Sequence, residues 1–189
     1  MSVTFKQATL ANGLTIVGEV DPEAATASCG FFVKTGARDE QAELMGVSHF
    51  LEHMMFKGTD SRTAEDVNRE MDELGAQNNA YTSSEITCFY ASTVASNISK
   101  AVDVLADIMR PALREDDFQT ERSVILEEIA MYRDNPFFTV YESAMEHFYR
   151  GHGLSHRVLG TDDTIGRMRR DEMKAYFDNR YSADNTVVS

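Results

Sequence analysis

Two histidines and a glutamate lie within five residues of one another in the segment His49-Phe50-Leu51-Glu52-His53, an H-x-x-E-H pattern. In a helix, His49 and His53 lie one turn apart on the same face, where both imidazoles can reach one ion. Glu52 precedes His53 by one position, so its carboxylate can approach a water molecule on that ion without being a ligand. Two neutral imidazoles, one anionic ligand and an open water position describe a catalytic zinc site. The pentad therefore predicts zinc-dependent hydrolysis.

The anionic ligand has to come from elsewhere in the chain. Among the 31 Asp and Glu residues, the best candidates lie in the segment 121–128. Glu121 and Glu128 are about two helical turns apart, so they share one face of a helix. Glu127 points roughly 100° away from Glu128 and is expected to be solvated. Spacing alone leaves two interpretations open: Glu128 at the metal with Glu121 behind or beside it, or both glutamates as surface charges.

The overall charge restricts the classes of partner. The formal net charge is -13 at pH 7, and so acidic a surface repels phosphate backbones and anionic membranes. We therefore expect no nucleic-acid partner. No stretch approaches the roughly 18 apolar residues of a membrane span, so we expect no membrane span either.

The two cysteines and the N-terminal segment indicate the cellular location of the protein. Cys29 and Cys88 do not make a disulfide framework, and both are expected to be buried in strands. The residues after Met1 contain neither the basic region nor the apolar core of a secretory signal. These features predict a reducing, bacterial cytoplasm.

β-branched and aromatic segments bounded by turn residues predict five strands and the beginning of a sixth. The first two strands are joined through Asn12-Gly13, which is a strong hairpin signal. The predicted strands span residues 4–10, 14–20, 27–34, 77–82, 86–92 and, at the end, 185–189.

Helical periodicity and capping residues predict six helices. Lys57-Gly58 ends the helix that carries the pentad, Thr63 caps the next one with Asp66 at its third position, and Pro136 begins another. The predicted helices span about 47–56, 64–74, 98–110, 116–131, 136–149 and 164–177.

The order of these elements indicates the fold class. Strands, helices, strands and then many helices predict an α+β fold with an antiparallel sheet and helices packed on one face. Neither G-x-G-x-x-G nor a Walker A sequence occurs in the chain, so a nucleotide-binding βαβ fold is not expected. The chain has no internal repeat and no linker, and we predict one domain over residues 1–189.

Several motifs together resemble one known family. The order His-x-x-Glu-His inverts the commoner zincin motif and gives the inverzincin pattern. The segment 46–59 resembles the pitrilysin-like zinc peptidases (peptidase family M16), which include mitochondrial processing peptidase, insulin-degrading enzyme and bacterial processing-peptidase homologues. The resemblance covers essentially the whole chain, through the segments 10–14, 74–82, 121–129, 134–136, 159–160 and 181–185.

The resemblance implies roles for the residues of the predicted metal site. His49 and His53 bind one Zn²⁺ ion per chain, with Glu128 as the distal ligand. Glu52 is the general base that activates water. The expected fold is that of a processing-peptidase-like metallohydrolase domain.

Three further residues acquire roles by the same resemblance. Glu121 falls on an additional acid that supports catalysis without being a metal ligand. Asn79 and Ala80 fall on an edge strand that pairs with the backbone of a bound peptide. From the residues alone, Asn79 is equally compatible with an ordinary turn or strand-edge position.

The predicted function is a zinc endopeptidase that cleaves peptides or unfolded polypeptides. One alternative is a non-catalytic partner subunit that binds peptide, and another is an inactive fragment of a longer peptidase. A third is a hydrolase that acts on a non-peptide substrate with the same site. The intact set of His49, Glu52, His53 and Glu128 favours the enzyme, because non-catalytic members typically lose some of these residues.

The length of the chain departs from the family pattern. Members usually carry two homologous domains per half, whereas this chain matches most of the first domain. We therefore expect a C-terminally truncated catalytic domain that lacks the second homologous domain, and we expect such a domain or a second subunit as its partner. A truncated sheet edge would also expose apolar surface and favour a homodimer.

Overall fold

Six strands form one sheet in the computed structural model, which describes residues 3–189. Their order across the sheet is β1-β2-β6-β3-β5-β4, so β1 and β4 are its edges. The strands are β1 (Thr4–Thr9), β2 (Thr15–Val20), β3 (Thr26–Val33), β4 (Gln77–Thr82), β5 (Thr87–Val94) and β6 (Thr186–Val188).

The sheet is mixed, and the prediction of an antiparallel sheet is wrong for one pair of strands. β2 runs parallel to β6 through the pairs Thr15–Val187 and Ile16–Val188, whereas the other neighbouring strands are antiparallel. β6 lies between β2 and β3, which run in opposite directions, and a strand in that place has to be parallel to one of them. β6 is thus an interior strand of the sheet.

Seven helices accompany the sheet within residues 3–189. Thr63 caps α2 as predicted, since its Oγ1 accepts a hydrogen bond from the Asp66 N–H. The Asn135 side chain caps α5. The helices are α1 (Val47–Met55), α2 (Ala64–Glu73), α3 (Ile98–Ile108), α4 (Glu115–Arg133), α5 (Pro136–Phe148), α6 (Asp162–Arg167) and α7 (Arg170–Arg180).

Two helices replace the single helix predicted over 164–177. α6 begins earlier because Thr161 caps it by accepting from the Thr164 N–H. The chain then becomes extended at Met168. α7 begins anew because the Glu172 carboxylate accepts from the Arg169 N–H. Two N-caps, at Thr161 and Arg169, lie close together in this segment. They divide the apolar periodicity from which a single helix was predicted between two helices.

The helix α1 contributes to both hydrophobic clusters of the core. One cluster packs Cys29, Phe31, Phe89 and Ala91, on one face of the sheet, against α3, with Met55 from α1. The other surrounds the remaining apolar side chains of α1 with residues of α4, α6 and α7. The α+β class and the packing of helices on one face are therefore confirmed.

A stacked aromatic pair joins α1 to α4. The rings of Phe50 and Phe118 are 4.7 Å apart and inclined by 8°, and both side chains are fully buried. Burying each of these rings contributes about 1.5–3 kcal/mol. This contact aligns α4 with α1, so that residues from two distant segments of sequence face each other.

The structure also bears on the predictions for the two cysteines and for membrane-spanning segments. Cys29 and Cys88 are buried, unpaired thiols in β3 and β5, as predicted. Burial raises the pKa of the Cys88 thiol to about 11. No helix within residues 3–189 combines the length and the apolar character needed to cross a bilayer.

Candidate metal centre

The start of α1 is held by a glycine and a buried carboxylate. Gly46 precedes the helix with φ +93°, and a Cβ atom there would lie 2.6 Å from the Leu159 carbonyl oxygen. The Glu40 carboxylate accepts from the N–H groups of Gly46 and Ser48 at 2.7 and 2.8 Å. Because the first N–H groups of a helix have no partner within the helix and Glu40 accepts from two of the N–H groups at this end, Glu40 fixes where α1 begins.

A small polar network continues from this cap. The hydroxyl of Tyr176 lies 2.8 Å from Oγ of Ser48 and 2.9 Å from Oγ1 of Thr35. Burial raises the pKa of Glu40 to about 7, although its hydrogen bonds oppose this rise. These polar groups tie the start of α1 to α7 and to the residues that follow β3.

The three predicted ligands converge. Oε2 of Glu128 lies 3.6 Å from Nε2 of His49 and 3.7 Å from Nε2 of His53, and the three ligand atoms all lie within 4.8 Å of one another. The two distances from Glu128 to the imidazoles exceed hydrogen-bond length. They approach the roughly 3.4 Å expected between ligand atoms that bind one tetrahedral ion at about 2.0–2.1 Å. The donor set and its spacing therefore fit a zinc ion.

The electrostatics of the cluster suit a cation. Burial, with a smaller contribution from His53, lowers the pKa of His49 to about 4, so that its imidazole is neutral and able to act as a ligand at neutral pH. Burial raises the pKa of Glu128, opposed by His53. Within residues 3–189, the buried Nδ1 of His49 has no hydrogen-bond partner. Nε2, the ring nitrogen that faces Glu128, is therefore the candidate ligand atom of His49.

Glu52 lies beside the three ligands and is held by another element. Its Oε2 accepts a hydrogen bond of 2.5 Å from Oγ1 of Thr82, the last residue of β4. Burial raises the pKa of Glu52, whereas the bond from Thr82 lowers it, and the charges of His53 and Glu128 also act on it. A half-buried carboxylate of raised pKa next to a metal site is suited to accept a proton.

Glu121 lies behind His53 rather than among the ligands. Its Oε2 is 3.2 Å from Nδ1 of His53, and its Oε1 is 2.6 Å from Nζ of Lys57. Only 4% of Glu121 is exposed, whereas Glu127 is exposed as predicted. Glu121 can therefore orient the imidazole of His53.

Sequence reasoning missed Lys57 and Thr82. Lys57 was interpreted only as part of a helix end, and it lies in the turn just after α1, four positions beyond His53. Thr82 belonged to a matching segment but had no assigned role. Its place two residues after Ala80 on one strand, and hence on the same face, was the available signal.

Asn79 and Ala80 lie in the middle of the edge strand β4. The bond from the Ser83 N–H to the Ile86 carbonyl closes the β4–β5 hairpin. Because hydrogen-bonded pairs alternate along an antiparallel ladder, the backbone groups of Ala80 and Thr82 point away from β5, to the open side. The Asn79 side chain accepts from the Ala80 N–H at 2.8 Å. The Thr82–Glu52 bond thus places the candidate metal centre near a strand edge that is unpaired within residues 3–189.

The chain resembles known proteins in sequence and in structure. The family model of insulinase, peptidase family M16, matches residues 15–162. An uncharacterized zinc protease of Bacillus subtilis is 37% identical over 186 residues, which cover 98% of this chain and 46% of that protein. The crystal structure of a protease from Helicobacter pylori matches 98% of this chain and 45% of its own, with 27% identity and a TM-score of 0.94. The chain therefore spans less than half the length of these relatives.

A domain described as inactive has the same fold. The peptidase M16 inactive domain from Pseudomonas fluorescens matches 98% of this chain and 45% of its own, with a TM-score of 0.90 and 16% identity. At that identity the likeness concerns the fold alone. Since a protease and an inactive domain share the fold, the side chains of the site have to distinguish the two.

Proposed function

This chain belongs to peptidase family M16, the insulinase family, and we propose that it is the catalytic domain of a zinc endopeptidase. The convergence of His49, His53 and Glu128, with Glu52 beside them, is the observation that carries the proposal. The names of its relatives as zinc proteases support the choice of metal. We propose peptides and unfolded polypeptides as the substrates, and the bacterial cytoplasm as the location.

His49, His53 and Glu128 would hold one zinc ion per chain. Zinc bound by such ligands lowers the pKa of a water molecule and polarises a carbonyl group. Glu52 accepts the proton of the attacking water and returns it to the leaving amine. We assign Glu52 the role of base and not of ligand because it is outside the set of three converging ligand atoms.

Glu121 and Lys57 support the site from behind. The carboxylate of Glu121 accepts from Nδ1 of His53, which leaves the lone pair of Nε2 for the metal. Lys57 binds the other oxygen of Glu121 and so holds the carboxylate in the orientation that His53 requires. We therefore assign Glu121 a supporting role and not a place among the ligands.

The free edge of β4 is the proposed binding site for the peptide backbone. An extended peptide that adds to this edge would form main-chain hydrogen bonds with Ala80 and Thr82, and these bonds place little demand on its sequence. The Asn79 side chain has to release the Ala80 N–H when the peptide pairs there. Its carboxamide is then free to contact the peptide.

We propose that a second homologous domain, in the same polypeptide or in a partner subunit, completes the substrate cavity. The greater length of the relatives supports a partner of that kind. A homodimer is a second arrangement that would supply the missing surface. The exposed apolar side chains of Phe137, Val140 and Phe148 on α5 give such a partner a surface to cover.

A non-catalytic, peptide-binding subunit is the second candidate function. The fold is compatible with it, because an inactive M16 domain has the same fold. The complete set of His49, Glu52, His53 and Glu128 argues against it, because a binding subunit has no use for a general base beside three ligands.

Zinc content and peptide hydrolysis by the complete gene product test the proposal. The Glu52→Gln variant should keep its zinc and lose hydrolysis by a factor on the order of 10²–10⁴. Glu127→Gln, which changes an exposed neighbour of Glu128 on α4 in the same way, should be as active as the wild type. Full activity in Glu52→Gln would reject the general base, and a zinc-loaded wild type that cleaves no peptide would favour the binding subunit.

A further inference from the structure

The contact between Thr82 and Glu52 joins the proposed substrate-binding strand to the proposed general base. Oγ1 of Thr82 lies 2.5 Å from Oε2 of Glu52, and both residues are half-buried. The hydroxyl is the donor, because an ionised carboxylate can only accept. A short hydrogen bond to a charged acceptor in a partly buried place is among the stronger ones in proteins.

The two oxygens of Glu52 are therefore unlike each other. Oε2 is held by Thr82, whereas Oε1 makes no hydrogen bond with any side chain or backbone group of residues 3–189. One oxygen fixes the carboxylate and the other is available to water. A base that has to take a proton from one direction benefits when its remaining rotational freedom is removed in advance.

The position of Thr82 is itself well determined. It pairs with Thr87 at the end of the β4–β5 ladder, next to the hairpin that the Ser83 N–H to Ile86 carbonyl bond closes. A β-branched side chain has few accessible χ1 rotamers. The hydroxyl is thus presented at a fixed point relative to the strand, and it transmits the position of β4 to α1.

We propose that Thr82 is a positioning residue for peptide hydrolysis, whose hydroxyl orients Glu52 and links the seating of a peptide on β4 to the orientation of the base. This inference rests on the proposed function. Ala80 and Thr82 have their free backbone groups on the same open side of β4, so a peptide that pairs with that edge constrains the strand from which the hydroxyl extends.

A purely structural contact would have different consequences. If the bond only fastened α1 to β4, its loss would lower the free energy of unfolding and the zinc occupancy, and the serine variant would lose part of the packing of the threonine methyl. If the bond orients the base, its loss lowers kcat while KM and zinc occupancy stay unchanged, and serine restores kcat because it keeps the hydroxyl.

The test compares Thr82→Val, which removes the hydroxyl and keeps the branched shape, with Thr82→Ser in the complete gene product. Zinc content, the unfolding temperature, kcat and KM are measured with a fluorogenic peptide. We expect Thr82→Val to lower kcat on the order of tenfold with KM within about twofold, and we expect Thr82→Ser to keep most of kcat. Thr26→Val, at an exposed strand position without a side-chain hydrogen bond among residues 3–189, is the matched control with wild-type kcat.

The inference is overturned if Thr82→Val keeps full kcat, if Thr82→Ser loses as much kcat as Thr82→Val, or if the loss follows zinc occupancy. Thr82→Ala serves for the same comparison should valine disturb folding. In a Glu52→Gln background, Thr82→Val should cause no further loss. Failure of the proposed function is recognised separately, because the zinc-loaded wild type would then be inactive, and that outcome overturns the inference as well.

Discussion

Lys57 and Glu121 form an ion pair of 2.6 Å, although they lie on different elements and far apart in sequence. The pair occupies one oxygen of the carboxylate and leaves the other at 3.2 Å from Nδ1 of His53. A carboxylate that accepts from a ligating histidine fixes its tautomer and its ring orientation. The arrangement makes a surface lysine part of the support of the metal site.

Replacing Lys57 by methionine should therefore weaken zinc binding. Glu121 would lose the cation that orients it, and outer partners of this kind typically contribute 10–100-fold in metal affinity, so we expect a loss of about tenfold because Lys57 acts one step further out. Competition with a chelator of known affinity measures the change. The control is Lys100→Met, an exposed lysine on α3, and equal affinity in both variants would contradict the role.

The choice of Glu128 as the third ligand predicts a contrast between neighbours. Glu128→Ala removes the only carboxylate oxygen among residues 3–189 that converges with both imidazoles, so zinc content should fall from about one per chain to well below half. Glu127→Ala removes an exposed carboxylate of the same helix and should leave the zinc content unchanged. Metal analysis after dialysis measures both, and retention of zinc by Glu128→Ala would assign the ligand elsewhere.

The buried carboxyl of Glu40 predicts how stability depends on pH. Its pKa is raised from the usual 4.5 to about 7 in the folded chain, so the folded protein holds a proton that the unfolded chain has lost between those values. The free energy of unfolding should therefore fall as pH rises from about 4.5 to about 7, by as much as about 3 kcal/mol.

Comparison with Glu40→Gln isolates this contribution. Urea unfolding of the metal-free proteins at several pH values gives the stability of wild type minus that of the variant. That difference should decrease from pH 5 to pH 8, whereas the contribution of His49, whose lowered pKa acts in the opposite direction, is common to both proteins and cancels. A difference that does not change with pH would contradict the buried, protonated state.

Gly46 predicts a local effect of backbone geometry. Gly46→Ala places a side chain at φ +93° and puts its Cβ 2.6 Å from the Leu159 carbonyl oxygen, so we expect a loss of at least about 2 kcal/mol. Gly75→Ala is the matched control, because Gly75 also has a positive φ but has open space around its Cβ position. Denaturant unfolding measures both, and equal losses would mean that the close approach to Leu159 has no cost.

The local part of the site was predictable, because a helix fixes the relative positions of residues four apart. His49, Glu52 and His53 needed only that periodicity. Glu128 required knowledge of which helix packs against α1, and spacing offered two interpretations until the resemblance favoured one. The packing of α4 against α1 depends on the contact between Phe50 and Phe118. That is a tertiary contact, which the spacing of residues does not predict.

The residues that sequence reasoning missed have their partners on other elements. Thr82 contacts Glu52 only when β4 lies beside α1. Lys57 contacts Glu121 only when α4 packs against α1. The place of β6 between β2 and β3 depends on a pairing of distant strands that no local pattern encodes. The division of 164–177 into two helices was in principle readable, since Thr161 and Glu172 are ordinary capping residues.

The interior place of β6 has a consequence for the order of folding during synthesis. Within residues 3–189, the β1–β2 hairpin is connected to the rest of the sheet only through β6, and β6 follows β3–β5 and all seven helices along the chain. Pairing of segments from opposite ends of a chain is slow, because a long loop has to close before any contact stabilises it. We expect the hairpin to emerge before the other strands of this sheet, to stay without its neighbour until β6 has been synthesised, and to join the sheet after them.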